Sequence, residues 1–482
     1  MRKRVLILFA KQVIHTAFRN RAIVLLTGTM LLLLVYAAIS GISNYKTQTS
    51  IRLQYQKQVR ENWEKMPDKH PHRMAHYGYI AFRAKHPLSF FDYGIESYTG
   101  NAIFLEAHRQ NSINFSEAGF STGMLRFGEI SMAMILQLLI PLVIFFIGFS
   151  TVAADRENGT LKILLSQGSS WKEIIVGKSI GLMGISFVFF IPAIAILIIG
   201  WLVSETATGM ADDALRLLYI FLAYLFYFSI ISTAAVIVSA VIKTARVALI
   251  ALIGVWLLLA IILPRTTQAM GNYLYSSPSK IEFETAIEKD LIKRGDSHDP
   301  NDPYYKALKD SILKAYNADS VQQLPFNWGG FQMKQGEKIS SEIYAQHLSN
   351  LLNRYQQQNN VSRMAAFINP FAAIKNFSMA ASGTDFNSYI NFQQQAEDYR
   401  YQLAQHMNDL QIKLISNRKL SENDKPYSIS KDHWKAFPDF TYKRIAPPHV
   451  LKNEALSIAA LLFWMILLAI VVVVLSKNIK AL

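Results

Sequence analysis

Six separate apolar runs constrain this chain more than any other feature of its sequence. Each run holds about 20 mostly apolar residues, the length of helix that crosses a bilayer core about 30 Å thick. The chain is also 51% hydrophobic over 482 residues, too apolar for an ordinary soluble enzyme. The sequence therefore predicts an all-α polytopic membrane protein with six transmembrane helices. The runs cover residues 22–41, 130–153, 179–203, 214–242, 247–264 and 455–475.

The positions of basic residues predict how these helices are oriented. Short loops keep lysine and arginine on the cytoplasmic side of a membrane. The first 21 residues hold six basic residues and no acidic one, and basic residues recur in the segment 154–178 and in the tail 476–482. The short loop after the third run holds no basic residue, and its acidic residues are Glu205, Asp212 and Asp213. We therefore expect both termini in the cytoplasm.

Two long polar segments, 42–129 and 265–454, then fall on the extracytoplasmic side. The second is predicted to be mainly helical, because its apolar residues recur every three or four positions. One such stripe consists of Phe392, Ala396, Tyr399, Leu403, Met407, Leu410 and Leu414. Another consists of Ile339, Ile343, Leu348, Leu351, Leu352 and Tyr355. The same periodicity in residues 1–21 predicts a helix in the cytoplasmic interface; the alternative is a basic flank that only orients the first span.

A histidine-rich stretch in the first long segment leaves two interpretations open. His70, His72 and His76 lie within seven residues, and imidazole is a common ligand for zinc or copper. Pro71, however, is expected to interrupt any helix that would align them, and no acidic or sulfur ligand lies at a convincing spacing. We favour a solvated or hydrogen-bonded loop and keep the metal site as the alternative.

The sequence argues against several classes of protein. The net charge of +15 does not indicate nucleic acid, because the basic residues form no cluster interleaved with aromatic residues. The absence of cysteine excludes disulfides and cysteine nucleophiles. Gly177-Lys178-Ser179 resembles the end of a phosphate-binding loop, but Lys172 occupies the position where that motif requires glycine. We therefore expect no enzyme activity, cofactor or metal site in this chain beyond the histidine alternative.

Proton and ion pathways through membranes normally use ionisable residues that face the interior of the helix bundle. We expect the six apolar runs to be uncharged. This expectation disfavours an ion-coupled transporter or a proton channel.

The segment 154–178 is a short charged stretch between two apolar runs. Its sequence predicts a turn, a short amphipathic helix and a second turn, with Thr160 as the helix cap and Glu157 near the positive end of the helix dipole. Leu161, Leu164 and Leu165 would form the apolar face. The alternative is a charged loop that only separates two spans.

This segment resembles the first cytoplasmic loop of ABC-2-type transporter permeases. The shared features are Glu-x-Gly-Thr-Leu at 157–161, a Leu-Leu pair, a turn of small residues and a lysine before the third run. Residues 76–110 and 369–400 are similar to a branch of that family with large extracytoplasmic loops and no assigned substrate. The six-span layout agrees with this resemblance.

The resemblance implies a permease in the bacterial inner membrane that works with a separate ATPase, which would hold ATP and Mg²⁺. The ATPase would dock on the loop and the N-terminal helix, and a second permease copy or a paralogue would complete the complex. Gly159 would form the turn, Thr160 the cap and Leu161 an apolar contact with the ATPase. The expected coupling residues are Glu157, Gly159, Thr160, Leu161, Leu164, Leu165 and Trp171. The expected function is export, and the alternative is force transmission to a periplasmic or outer-membrane partner.

Overall fold

The computed structural model describes residues 1–111, 130–204, 209–299, 301–422 and 424–478. Within these ranges the chain is predominantly helical and has six helices that are long and apolar enough to cross a membrane, as predicted. Glu205 and Lys480, which contributed to the orientation argument, lie outside the described residues. The helices are span 1 (Arg21–Lys65), span 2 (Met132–Glu157), span 3 (Trp171–Val203), span 4 (Met210–Val241), span 5 (Ala245–Leu274) and span 6 (Ala455–Lys477).

Spans 2 and 5 are not regular along their whole length. Each contains a π-helical turn, Ile135–Leu139 in span 2 and Leu258–Ile262 in span 5. Span 2 also opens into turns between Gly148 and Ala153. A π turn leaves carbonyls without an intrahelical partner. Here neighbouring side chains donate hydrogen bonds to such carbonyls. The indole of Trp256 donates to the Leu138 carbonyl at 2.9 Å.

Shorter helices and one pair of strands complete the described chain. The strands Tyr79–Phe82 and Ala102–Leu105 pair antiparallel, with Tyr79 opposite Leu105. The helices are Lys3–Arg19 (the N-terminal helix), Pro71–Tyr77, Glu96–Thr99, Thr160–Ser166 (the loop helix), Lys280–Arg294, Pro303–Ala315, Trp328–Met364, Pro370–Ser382 (the inserted helix), Phe386–Leu414, Asp432–Lys435 and Pro447–Asn453.

The N-terminal helix packs closely along span 3. Its buried side chains are Phe9, Ala10, Val13 and Ala17. The apolar periodicity predicts a face of Leu6, Phe9, Val13 and Ala17, and of these Leu6 is half-buried. A Cβ atom at Gly181 would lie 2.8 Å from both the Ala10 carbonyl and the Val13 Cβ. Glycine at this position therefore permits the close approach of two helices that small residues give in membrane proteins.

The described parts of the two long segments form one domain, which we call the large domain, apart from the residues that pack into the core of the span bundle. Its core combines Trp63, Met74 and Leu105 from the first segment with residues of the second. The Trp63 indole also donates to the Trp434 carbonyl at 3.1 Å. The predicted stripe on Phe386–Leu414 contributes Phe392, Ala396, Leu403 and Met407, which are buried there. The stripe thus forms part of a core within this chain.

The inserted helix departs from the predicted domain boundaries. Residues 265–454 were assigned to one extracytoplasmic domain, but Phe371, Ile374 and Phe377 belong to the core of the span bundle. The helix packs between spans 4 and 6, and the Asn369 amide donates to the Leu259 carbonyl in the π turn of span 5 at 2.8 Å. At 13 residues it is too short to register as a spanning run.

The expectation of uncharged apolar runs is wrong at Arg216. This residue lies within the run 214–242, and its side chain is 2% exposed. Its guanidinium donates to the carbonyls of Ala380 and Ala381 at 3.0 Å each, and also to that of Ile445. Two of these carbonyls end the inserted helix, where a cation is favourable.

We predict that Gly181→Ala destabilises the protein while Gly28→Ala does not. The new methyl at residue 181 would force the N-terminal helix away from span 3, which costs about 1–3 kcal/mol for overpacking. Gly28 has no atom within 4 Å of its ideal Cβ position, so its replacement should change stability by about 1 kcal/mol or less. Thermal unfolding in detergent measures both variants. Equal unfolding temperatures would contradict the close packing.

Candidate functional site

The segment 154–178 forms the predicted turn, helix and turn. Gly159 has a φ of 77° and precedes the loop helix, and Gly168, with a φ of 84°, follows it. These left-handed angles favour glycine. Ser170 then caps span 3 in a reciprocal capping box with Glu173. The segment therefore ends within span 3, which begins at Trp171, eight residues before the apolar run.

Hydrogen bonds of one side chain join the residues just before this segment to span 4. The Ser239 hydroxyl accepts hydrogen bonds from the amides of Val152 and Ala153 at 3.0 Å each and donates to the Phe149 carbonyl at 2.7 Å. The same hydroxyl thus satisfies three backbone groups where span 2 opens. Because Ser239 is fully buried, no water replaces these bonds.

Two charged side chains extend the connection to the turn between spans 4 and 5. Arg156 donates to the Ile242 carbonyl at 2.7 Å and to the Ala240 carbonyl, at the C-terminal end of span 4. Glu157 accepts from the Ala245 amide at 3.2 Å, at the N-terminal end of span 5. Each charge lies at the helix end whose dipole favours it. We refer to the bonds of Arg156, Glu157 and Ser239 as the loop contacts.

The N-terminal helix also holds the loop. Arg2 donates to both carboxylate oxygens of Glu173, at 3.0 and 2.9 Å, and to the Gly168 carbonyl at 2.6 Å. Lys178, from the sequence that resembles a phosphate-binding loop, lies inside span 3 and pairs with Asp155. The positive charge of its ammonium group is therefore balanced by Asp155 of the same chain.

Two of the expected roles in the loop are wrong. Thr160 does not cap the loop helix, since Gly159 occupies the cap position and the Thr160 hydroxyl donates to the Asp155 carbonyl at 3.0 Å. Leu161 is 0% exposed, so it contacts the bundle core and is not available to another chain. Thr160 is already helical, because the left-handed turn at Gly159 starts the helix one residue earlier than the capping pattern predicts.

The remaining expected residues divide between the core and the surface. Leu164 and Leu165 are half-buried against the same core, and Trp171 is buried. Glu157 is exposed but bonded to span 5, and Gly159 lies in open space. The amphipathic face of the loop helix was correctly located, but it faces this chain. Amphipathicity alone does not say which neighbour covers an apolar face.

The exposed side of the loop helix was missed. Lys162 and Ile163 are exposed there, Ile163 at 55%, and Ser166 and Gln167 continue the same surface. The available signal in the sequence was Ile163, an apolar residue that lies off the helix face formed by Leu161, Leu164 and Leu165. This surface stands next to the loop contacts.

Near the middle of span 4, a chain of buried polar side chains reaches the large domain. The Gln137 amide donates to the Tyr224 hydroxyl at 2.7 Å, which lies 3.2 Å from the Ser378 hydroxyl. Ser378 in turn donates to Asp92 at 2.5 Å, and burial raises the pKa of that carboxyl. The chain joins span 2, span 4, the inserted helix and the large domain in sequence. We call it the buried polar chain.

The histidine stretch does not form the expected loop. Pro71 is the first residue of the helix Pro71–Tyr77, a position where proline is tolerated because the first amides need no intrahelical partner. His70 precedes that helix, and its Nδ1 accepts from the His72 amide at 3.2 Å. His72 and His76 share one helix face, with their Nε2 atoms 3.2 Å apart. Burial, reinforced by neighbouring imidazoles, lowers the pKa of His72 to about 4.

Comparison with known proteins gives one family match. A family model described as a domain of unknown function, DUF3526, matches residues 280–443. The match covers the helices from Lys280–Arg294 to Asp432–Lys435, which include the inserted helix, and it stops before span 6. No curated protein matches the chain. The match therefore identifies a recognised domain and assigns it no activity.

We predict that Ser239→Ala loosens the loop while Ser232→Ala leaves it intact. Loss of the Ser239 hydroxyl leaves two amides and a carbonyl unpaired in a buried site, at a cost of about 1–3 kcal/mol for each group that finds no new partner. Ser232 is the matched control: it is buried on the same helix, and its hydroxyl has no hydrogen-bond partner. Thermal unfolding and the rate of tryptic cleavage at Lys162 measure the effect. If both variants behave alike, Ser239 does not hold the loop.

Proposed function

We propose that this chain is the permease subunit of an ATP-driven ABC exporter in the bacterial inner membrane. A separate ATPase holds ATP and Mg²⁺, and both termini of the permease are cytoplasmic. The observation that carries the proposal is the loop helix: its apolar face is fixed in the bundle, its other face is exposed, and the loop contacts tie the residues just before it to spans 4 and 5. This arrangement suits a helix that receives a partner and passes on its movement.

The exposed side of the loop helix is the proposed docking surface. Ile163 supplies an apolar contact and Lys162 a charge, and left-handed glycines at both ends set the helix apart from spans 2 and 3. Because Leu161 is buried, we assign the apolar contact with the ATPase to Ile163 instead. Glu157 and Gly159 act indirectly in this scheme: Glu157 holds the loop to span 5, and Gly159 sets its direction.

Span 4 is the proposed path of movement through the membrane. Its cytoplasmic end receives the loop contacts at Ser239, its middle contacts the inserted helix through Tyr224, and Arg216 near its other end binds the last carbonyls of that helix. A helix is stiff along its axis, and this one has 32 residues, so it spans about 48 Å. Displacement of the loop therefore reaches the large domain through a single element.

A second candidate function is force transmission without passage of cargo. The specific observation in its favour is the buried polar chain, which ends on Asp92 in the large domain. In force transmission, ATP hydrolysis by the partner ATPase would change the conformation of the large domain. That domain would then act on a periplasmic or outer-membrane partner.

A second permease copy or a paralogue completes the proposed complex. Span 5 has the smallest buried share of the six candidate spans, 11% of its most apolar window. Its exposed residues include Val247, Ile250, Ile261 and Ile262. This surface faces lipid or the second copy.

We predict that a partner ATPase can be cross-linked through Ile163→Cys. The chain has no native cysteine, so the purified variant takes up a thiol-linked photoactivatable probe at this position alone and can then be returned to native membranes. Mass spectrometry should identify a protein with a nucleotide-binding motif. The matched control is Ile281→Cys, 76% exposed on the large domain, which should capture no ATPase. Absence of an ATPase at residue 163, or equal capture at residue 281, would refute the docking surface.

A distance measurement separates the two candidate functions. Spin labels at Lys57→Cys and Ile281→Cys, both exposed, report on the shape of the large domain. Force transmission predicts that ATP with vanadate changes this distance in the assembled complex, and that Tyr224→Phe with Ser378→Ala reduces the change. Export without domain movement predicts one distance throughout.

A further inference from the structure

Four histidines from distant parts of the sequence converge in the large domain. His72, His108 and His298 each offer a nitrogen, and these three atoms all lie within 4.8 Å of one another. The ring of His76 is centred 4.6 Å from that of His72 and 5.3 Å from that of His108. The cluster combines the helix Pro71–Tyr77, a turn after the second strand and a loop in the second long segment.

We propose that His72, His108 and His298 bind one divalent transition-metal ion of the zinc and copper class, with His76 as a fourth nitrogen ligand. Imidazole nitrogens suit these ions, and the chain has no thiolate to compete for them. The proposal is independent of the ABC function, because it rests on residues of the large domain alone.

The surroundings of His108 match those of a metal ligand. Its Nδ1 lies 3.1 Å from a carboxylate oxygen of Glu337, and that oxygen also accepts from the His108 amide at 3.0 Å. A ring that donates from Nδ1 to a carboxylate presents the lone pair of Nε2, the arrangement that orients metal-binding histidines. The His108 Nε2 is buried and has no hydrogen-bond partner.

Glu337 itself is held in place. It is fully buried, and its other oxygen accepts from Arg400 at 2.6 Å. Held by Arg400, the carboxylate is in position to fix the orientation of the His108 ring.

The spacing of the nitrogens is close to what a metal requires. Two nitrogens on a tetrahedral zinc ion lie roughly 3.3 Å apart, given Zn–N bonds of about 2.0–2.1 Å. The Nε2 atoms of His72 and His76 are 3.2 Å apart. The ligand nitrogens of His72, His108 and His298 lie within 4.8 Å of one another, so side-chain rotations would have to bring them closer to one ion.

The backbone around the cluster is fixed by specific contacts. The Ala107 amide donates to the Ala75 carbonyl at 3.2 Å, which places His108 beside the helix that carries His72. Gln332 donates to the Ser297 carbonyl at 2.6 Å. A Cβ at Gly336 would lie 2.3 Å from the Ser297 hydroxyl oxygen, so glycine there lets the His298 loop approach. His108 also has a φ of 61°, an angle that costs energy in a residue other than glycine.

A hydrogen-bonded cluster without metal accounts for these histidines less well. Buried polar atoms in proteins almost always have hydrogen-bond partners. Here two buried nitrogens lack one, the Nδ1 of His72 and the Nε2 of His108. A metal ion would satisfy the His108 nitrogen and would join the first long segment to the matched family domain, which contains His298 and Glu337.

The experiment uses the full-length protein in detergent, purified without a histidine tag and stripped of metal. Titration with Zn²⁺ against a chromophoric chelator should give one tight site per chain, and Co²⁺ should give the absorption bands of a tetrahedral nitrogen site. His108→Ala and His298→Ala should each weaken binding at least about 10-fold, and Glu337→Gln about 10- to 100-fold. His298 is half-exposed, so its variant remains informative if His108→Ala does not fold.

The matched control is His347→Ala, in the same domain but paired with Asp290 outside the cluster. It should bind Zn²⁺ like the unaltered protein. Zn²⁺ should also raise the unfolding temperature of the unaltered protein and of His347→Ala, but not that of His298→Ala. The proposal is overturned if the unaltered protein binds no Zn²⁺, or if His298→Ala and His347→Ala bind it equally.

Discussion

Backbone groups that have no helical partner impose the main constraint on this bundle. A bilayer interior offers no water to such groups, so every interruption of a helix must be satisfied by protein. Pro141 removes the amide that would pair with the Gln137 carbonyl, and the Tyr227 hydroxyl donates to that carbonyl at 2.8 Å. Ser239 and Arg216 do the same where span 2 opens and where the inserted helix ends. All three side chains belong to span 4.

Span 4 therefore holds the other helices together, a role that its composition does not indicate. The groups it satisfies lie at both ends of the bundle, so it cannot move without disturbing the loop on one side or the inserted helix on the other. Arg216 illustrates the point: a buried cation in a spanning helix commonly marks an ion path, but here it binds helix carbonyls. The proposed coupling mechanism follows from this connectivity, with the loop helix as input and the large domain as output.

The large domain depends on pairing between segments that are distant in sequence. The strand pair places the turn at His108 next to the helix that carries His72, and the helix Trp328–Met364 brings Glu337 and the His298 loop to the same place. The family match at 280–443 contains only part of this arrangement. A metal ion at the histidines would strengthen the contact between the two parts.

The sequence by itself determined the features that depend on local period and length. These are the six apolar helices, the buried face of the N-terminal helix, the stripe along Phe386–Leu414 and the turns at Gly159 and Gly168. It did not determine what each face meets. The apolar face of the loop helix, with Leu161, meets its own bundle, and the inserted helix joins the spans although it is short. His108, His298 and Glu337 are 39 to 229 residues apart and carry no common motif. Only the tertiary structure brings them together, because periodicity describes neighbours along one element and contacts between elements depend on how the whole chain packs.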